Sequence, residues 1–186
     1  MSPPQRQHST DCARVEAPTS LTWLLQDQPF EQEDPSSFFY VNQDIDAAGI
    51  KANRVAQLVT FGSSLGAEPT ECKLLFAMPE DAESWELIQR EGAADLRVFR
   101  VPADATDMDD DVVRQKRNLL GAVKVKPGTQ TIDLGRCDGG GSFVFELADG
   151  GRSRVAFRQA SKPEDGFGVF MGSGCAARKR EVPEDL

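Results

Sequence analysis

Residues 54–79, RVAQLVTFGSSLGAEPTECKLLFAMP, contain two strand-like runs that constrain the rest of the chain. Side chains alternate across a strand with a period of two. Val55, Val59 and Phe61 therefore share one face with Gln57, and Ala56, Leu58 and Thr60 share the other. Cys72, Leu74, Phe76 and Met78 face one way, with Lys73, Leu75 and Ala77 opposite. A strand with apolar groups on both faces needs cover on both, so the two runs are expected as a pair in the middle of a sheet. Pro79 cannot donate to a ladder and should end the second strand. The stretch 62–71 has Gly, Ser and Pro but no apolar periodicity, which predicts a surface loop.

The remainder reads as short strands and turns. Leu21–Leu25 is a strand or a short helix, and Phe38, Phe39, Tyr40 and Val41 seed a strand. Residues 28–37 are a loop, and 42–53 a polar connection. Glu80, Asp81 and Glu83 suit a helix start, and Ala82, Trp85 and Leu87 or Ile88 continue it for a turn or two. Residues 96–101 form a strand stopped by Pro102, 103–111 an acidic loop, and 112–120 a short helix carrying Arg114, Lys116 and Arg117. Alternation then resumes at Val123 and Val125, at Ile132 and Leu134, and at Phe143, Phe145 and Leu147. It returns at Val155 and Phe157, and a final strand covers 167–171. Pro127-Gly128 and residues 138–141 read as turns, and Asp149-Gly150-Gly151 as a hairpin. Strands of this length with turns every 8–12 residues or so predict an all-β fold. The expected form is a jelly-roll-like antiparallel β-sandwich of about 8–10 strands with one or two short helices in its connections. The expected organisation is a disordered tail over 1–16, one sandwich domain over 17–175 and a charged tail over 176–186.

Charge and composition narrow the function. The 186 residues carry a formal net charge of -9, which argues against nucleic acid, since phosphate binding needs clustered Lys and Arg. No apolar run approaches the ~18 residues of a membrane helix, so no membrane span is expected. The N-terminus has no apolar segment of a secretory signal. As numbered, the chain is expected in the cytoplasm or nucleus, or outside the cell if a leader has been removed.

Catalytic sets are hard to assemble. The single histidine, His8, lies in the expected tail, so a Ser/His/Asp or Cys/His system lacks a base inside the fold. Cys12, Cys72, Cys137 and Cys175 form no CxxC, which disfavours a zinc ribbon or a thioredoxin-type site. In a reducing compartment they are expected as free thiols. In an exported protein, one pair among Cys72, Cys137 and Cys175 would bridge. Asp107, Asp109 and Asp111 begin like a calcium loop, but Val112 stands where Gly is required and Asn118 where the bidentate Glu belongs. No metal or cofactor is expected. Gly166-Phe167-Gly168 precedes a strand, so it is no phosphate cradle. Trp23, Tyr40 and Trp85 are the aromatics a glycan would stack on, with core packing the plainer reading.

The succession SFFYVNQD, NRVAQLVTF, ECKLLFAMP, a Cys before a Phe-bearing strand, and GFGVFMGSGC resembles a fungal family, the C-terminal domain of the "ubiquitin-three binding protein" (But-two type) proteins. The resemblance spans residues 34–175 and rests on the strand ending at Phe61, the Cys-x-Leu-x-Phe-x-x-Pro run from Cys72 to Pro79, Cys137 and Cys175. It implies a β-sandwich, with many members secreted or wall-associated and a founding member that binds the catalytic subunit of an enzyme activating a ubiquitin-like modifier. The expected function is a non-catalytic module binding a protein, or a glycan, through loops. Asp107, Asp109, Asp110, Asp111 and Trp85 are the candidate contacts. One alternative is a small enzyme or a pocket for a hydrophobic metabolite, using carboxylates and aromatics in the sandwich cleft. Another is a secreted wall-associated or effector-like protein.

Overall fold

The computed structural model describes residues 12–26, 37–63, 69–92, 94–101, 117–148 and 150–176. Within them the chain is an antiparallel β-sandwich. Its strands are β1 (Cys12–Glu16), β2 (Ser20–Leu25), β3 (Phe38–Ile45), β4 (Lys51–Phe61), β5 (Thr70–Met78), β6 (Gln89–Glu91), β7 (Asp95–Val101), β8 (Asn118–Lys124), β9 (Gly128–Cys137), β10 (Gly141–Leu147), β11 (Ser153–Arg158) and β12 (Gly168–Cys175). A four-residue helix α1 (Ala82–Trp85) and a 3-10 turn (Pro163–Asp165) lie in connections. One sheet has the order β1-β12-β5-β9; the other runs β6-β11-β3-β4-β10-β7-β8, with β2 also on β4.

The two runs of 54–79 do not pair. β4 is central in the large sheet and β5 is internal to the small one, so the connection after Phe61 carries the chain from one sheet to the other. The expectation of adjacent strands is corrected, and the demand for cover on both faces is met separately in each sheet. Between the sheets lie Phe61, Leu74, Phe76, Met78, Val98, Phe143, Phe145, Val169 and Met171. Leu24, Ala56, Leu58, Phe99, Val101 and Val144 form a second buried cluster on the opposite side of the large sheet. Leu75, Ala77 and Phe170 form a third on the opposite side of the small one, with Val15, Ala17 and Ala160 against it.

Other expectations are corrected for the same reason: turn chemistry reverses the chain without naming the next partner. β10 pairs with β4 and β7, whereas β11 pairs with β3 and β6, so the Gly150-Gly151 turn does not make a hairpin. Residues 118–120 are strand, not helix, because β8 ladders with β7. Arg117 stands beside them, its guanidinium 2.7 Å from Glu146 and 4.0 Å over the Phe99 ring. The described strands number twelve, above the expected 8–10 or so. The additions are polar or short: β1, assigned by composition to a tail, and the three-residue β6.

A strand has only two edges, yet β4 has three partners. β2 pairs with residues 55–60 of β4 and β10 with 57–61, so these two lie on opposite edges. β3 pairs with Lys51, Ala52 and Val55, and must share the β10 edge. The seam between β3 and β10 falls at Gln57, which is fully buried. Its side chain replaces the missing ladder. Tyr40 N–H donates to Gln57 Oε1 at 2.8 Å, and Gln57 Nε2 donates to the carbonyls of Thr22 at 3.2 Å and Leu58 at 3.0 Å. A Gln57→Leu substitution keeps the volume but removes the acceptor of the Tyr40 N–H, at a cost of about 1–3 kcal/mol, while the Thr22 and Leu58 carbonyls keep their ladder bonds to each other's strand. Chemical denaturation should show a loss of about 1–3 kcal/mol; wild-type stability would mean that the seam closes without the amide.

Candidate functional site

Beyond the seam, the same face of β4 changes surroundings. Val59 and Phe61 enter the core between the sheets, while Val55 lines an open cleft of about 330 Å3 with Leu25, Tyr40, Asn42, Asp44, Asn53, Arg54 and Arg154. Register explains the gathering. Leu25 opposes Val55, Val55 opposes Asn42, Asn42 opposes Arg154, and Arg154 opposes Glu91. Directly opposed residues share a face, so one row crosses five strands.

A bulge completes the polar set. Asn42 opposes Val55 but Asp44 opposes Ala52, so β4 carries one extra residue around Asn53 and Arg54. Asn53 has φ 50, the left-handed region that Asn tolerates better than most residues. Such bulges re-aim side chains. Here Asn53 Nδ2 donates to Asp44 Oδ2 at 3.0 Å, Asn42 Nδ2 to the Asn53 carbonyl at 2.8 Å, and Arg154 Nε to Asn42 Oδ1 at 2.9 Å. Asn42 is 4% exposed, so the centre of the network is fixed. The Asn53 amide holds the Asp44 carboxyl below its ordinary pKa against a smaller opposing effect of burial, with help from Asn42, Arg152 and Arg154. A depressed carboxyl contributes stability above its ordinary pKa and loses it as pH falls through the folded value. The network is therefore intact at neutral pH and fails only in acid.

An aromatic edge borders the cleft. The Trp23 and Tyr40 rings lie 5.1 Å apart, and Trp23 Nε1 donates to the Phe38 carbonyl. The arrangement offers a carboxylate, amide groups and guanidinium donors around an apolar floor. It contains no histidine or cysteine, and among the described residues no group of three or more His, Cys, Asp and Glu is placed to hold a metal.

The sequence candidates lie elsewhere. Asp107, Asp109, Asp110 and Asp111 are outside the described residues. Trp85 is at the end of α1, where its Nε1 donates to the Pro79 carbonyl at 2.7 Å and Arg90 covers its ring at 5.2 Å. It fastens the connection after β5 and takes no part in the cleft. Tyr40, weighed as a stacking residue, does line it. Asn42, Asp44 and Asn53 fell inside a stretch read as a polar connection. The usable signal was Asp46 with Gly49: Asp46 Oδ1 accepts from the N–H groups of Ala48 and Ile50, and Gly49 has φ 79. That turn makes 38–61 a hairpin and its polar residues strand residues.

The cysteines are all paired. Cys72 on β5 is bonded to Cys137 on β9, and Cys12 on β1 to Cys175 on β12. Of the two expectations, free thiols in a reducing compartment or one bridge among Cys72, Cys137 and Cys175 outside it, the structure has the bridged form, Cys72–Cys137, and adds Cys12–Cys175. Cys12 was missed because its neighbours are polar; pairing with β12 orders them. No helix among the described residues is long and apolar enough to cross a membrane. Comparison with family models and with curated proteins gives no match to this chain.

Proposed function

We propose that this chain is a non-catalytic recognition module of an oxidising, extracytoplasmic compartment, and that it holds its partner, a protein or a glycan, in the β2–β3–β4–β11 cleft. The observation that carries the reading is the convergence of Asn42, Asp44, Asn53 and Arg154 on one open cleft. Fixed polar groups around an apolar floor are the usual makings of a small binding site. Two disulfides support the compartment, because such bonds persist where the surroundings are oxidising. Kinship with the fungal But-two type domains belongs to the same proposal. The Cys72–Cys137 bond supports it by joining two of the elements on which the resemblance rests. The alternative of a hydrophobic pocket inside the sandwich finds less support. The Phe39 and Phe76 rings pack 6.2 Å apart in that space, and each lies within 4.7–6.4 Å of Phe145 and Phe157.

The test compares wild type with the double variant Asn42→Ala/Arg154→Ala on protein and glycan arrays, after mass spectrometry of the natively isolated protein. Both disulfides should be present. Partners of the wild type should bind the variant at least about tenfold more weakly, the loss of one or two charged hydrogen bonds, with the fold retained by circular dichroism. Free thiols in native protein would defeat the compartment. Partners indifferent to the variant, or turnover that requires a cleft residue, would defeat the recognition module.

A further inference from the structure

We propose that the cleft takes a neutral oligosaccharide, which stacks its rings along Trp23, Tyr40 and Phe38 and sets its hydroxyls against Asp44 and Arg154. This rests on the recognition-module reading and specifies the ligand class of that site. The first argument is charge balance. Arg54, although in the lining, already has a partner. Arg152 and Arg154 act on Asp44, and Arg154 has Glu91 directly opposite it on β6. Two guanidiniums therefore stand against two carboxylates, and an ion of either sign that is drawn to one kind is repelled by the other. A hydroxyl donates and accepts at once, so neighbouring hydroxyls of one sugar can give to Asp44 and take from Arg154. Hydrogen bonds with one ionised member are roughly twice as strong as neutral ones, so an uncharged ligand gains from both groups.

The second argument is the hydrogen-bonding capacity still open in the lining. Arg154 bonds to Asn42 through Nε, and Asn53 to Asp44 through Nδ2, which leaves the Arg154 terminal nitrogens and Asn53 Oδ1 to meet a ligand. Tyr40 bonds through its backbone N–H, and its hydroxyl has no partner among the described residues. Asn42, 4% exposed, is a positioning residue: it holds Arg154 and Asn53 in place before any ligand arrives, so little ordering opposes binding. The third argument is shape. Phe38, Tyr40, Asn42 and Asp44 alternate onto one face of β3. The Trp23 ring lies 5.1 Å from Tyr40 and is pinned by its bond to the Phe38 carbonyl, and Phe38 is 47% exposed. Such rings give apolar surface to the C–H face of a sugar while a polar tip stays wet. The row from Phe38 to Asp44 is about 20 Å long, far more than one sugar ring. The cleft itself, about 330 Å3, is at the small end of ligand sites, ~300–1,000 Å3. The fitting occupant is a sugar chain lying along β3, with one end in the cleft and the rest on the aromatic row.

The test is calorimetric titration of the intact, oxidised chain with four pentasaccharides: cellopentaose, mannopentaose and N-acetylchitopentaose, which are neutral, and pentagalacturonate, which is not. At least one neutral chain should bind, about tenfold or more tighter than pentagalacturonate, with an affinity that salt leaves unchanged because no net charge is screened. Asp44→Asn should weaken that binding by about tenfold or more, the loss of a charged hydrogen bond. Tyr40→Phe, which removes only the hydroxyl, should weaken it less. Phe38→Ala should weaken it several-fold while thermal stability stays close to that of the wild type. Pentagalacturonate binding as tightly as the neutral chains, or an affinity that falls as salt rises, would overturn the neutral class. Neutral binding that ignores both Asp44→Asn and Phe38→Ala would overturn the placement along β3. Failure of all four sugars would overturn the saccharide, while the recognition module would stand or fall on the array comparison with the Asn42→Ala/Arg154→Ala variant.

Discussion

Phe39→Ala should destabilise the protein by about 3–5 kcal/mol, a large share of the ~5–15 kcal/mol that holds a typical domain together. Phe39 is fully buried. Its ring stacks on Phe157 at 4.7 Å, meets Phe145 edge-on at 5.4 Å and reaches Phe76 of the facing sheet at 6.2 Å. These neighbours come from β11, β10 and β5, each fixed in its own ladder. They cannot collapse into the vacated space without breaking register, so the cavity cost adds to the lost burial. Phe38 supplies the control: it is adjacent in sequence, 47% exposed and on the other face. Phe38→Ala should cost less than about 1 kcal/mol. Guanidinium denaturation with unchanged slope would measure both. A loss below ~1 kcal/mol for Phe39→Ala would show that the two sheets are joined elsewhere.

The same pair shows what was legible in the sequence. Period-two alternation separates Val155 and Phe157 from Arg154 and Arg158, because one face is apolar and the other is not, whereas Phe38, Phe39, Tyr40 and Val41 are apolar on both faces and only the pairing with β11 sets Phe39 inside and Phe38 outside. It is blind to which sheet a strand joins. The run 54–61 and the run 72–78 look like neighbours because both are apolar on two faces, yet a covered face results equally from two separate sheets. Alternation is also blind where both faces are polar. Asn42, Asp44, Lys51 and Asn53 carry no apolar rhythm, so the hairpin that builds the cleft resembled a loop. The bulge at Asn53 cannot be read at all without register. β1 was hidden similarly: CARVE is short and charged, and it is strand because β12 and a disulfide hold it.

That disulfide separates two kinds of stabilisation. Cys72–Cys137 and Cys12–Cys175 span 65 and 163 residues of sequence. The chain-entropy model assigns them about 4 and about 5 kcal/mol, which ranks the longer loop first. The fold reverses the ranking. β1 is an edge strand of five residues with no buried member, and its ladder partner is β12. When Cys12 is released, β1 can fray in the native state and recover entropy there, so part of the loss cancels. β5 and β9 are joined by a nine-pair ladder running from Thr70–Cys137 to Met78–Gly128, with Cys72 buried beneath it; little can fray. Cys72→Ala/Cys137→Ala should therefore cost about 4 kcal/mol globally. Cys12→Ala/Cys175→Ala should cost clearly less, with fast amide exchange confined to β1 and the end of β12. Gly172 provides an internal check, because a Cβ there would come 2.7 Å from Cys12 Sγ and 3.4 Å from Cys175 Sγ. Gly172→Ala should destabilise the oxidised wild type and be much milder in the Cys12→Ala/Cys175→Ala background. Equal costs in the two backgrounds would remove the close approach as the cause, and a global loss from Cys12→Ala/Cys175→Ala matching that from Cys72→Ala/Cys137→Ala would show that β1 stays docked without its bond.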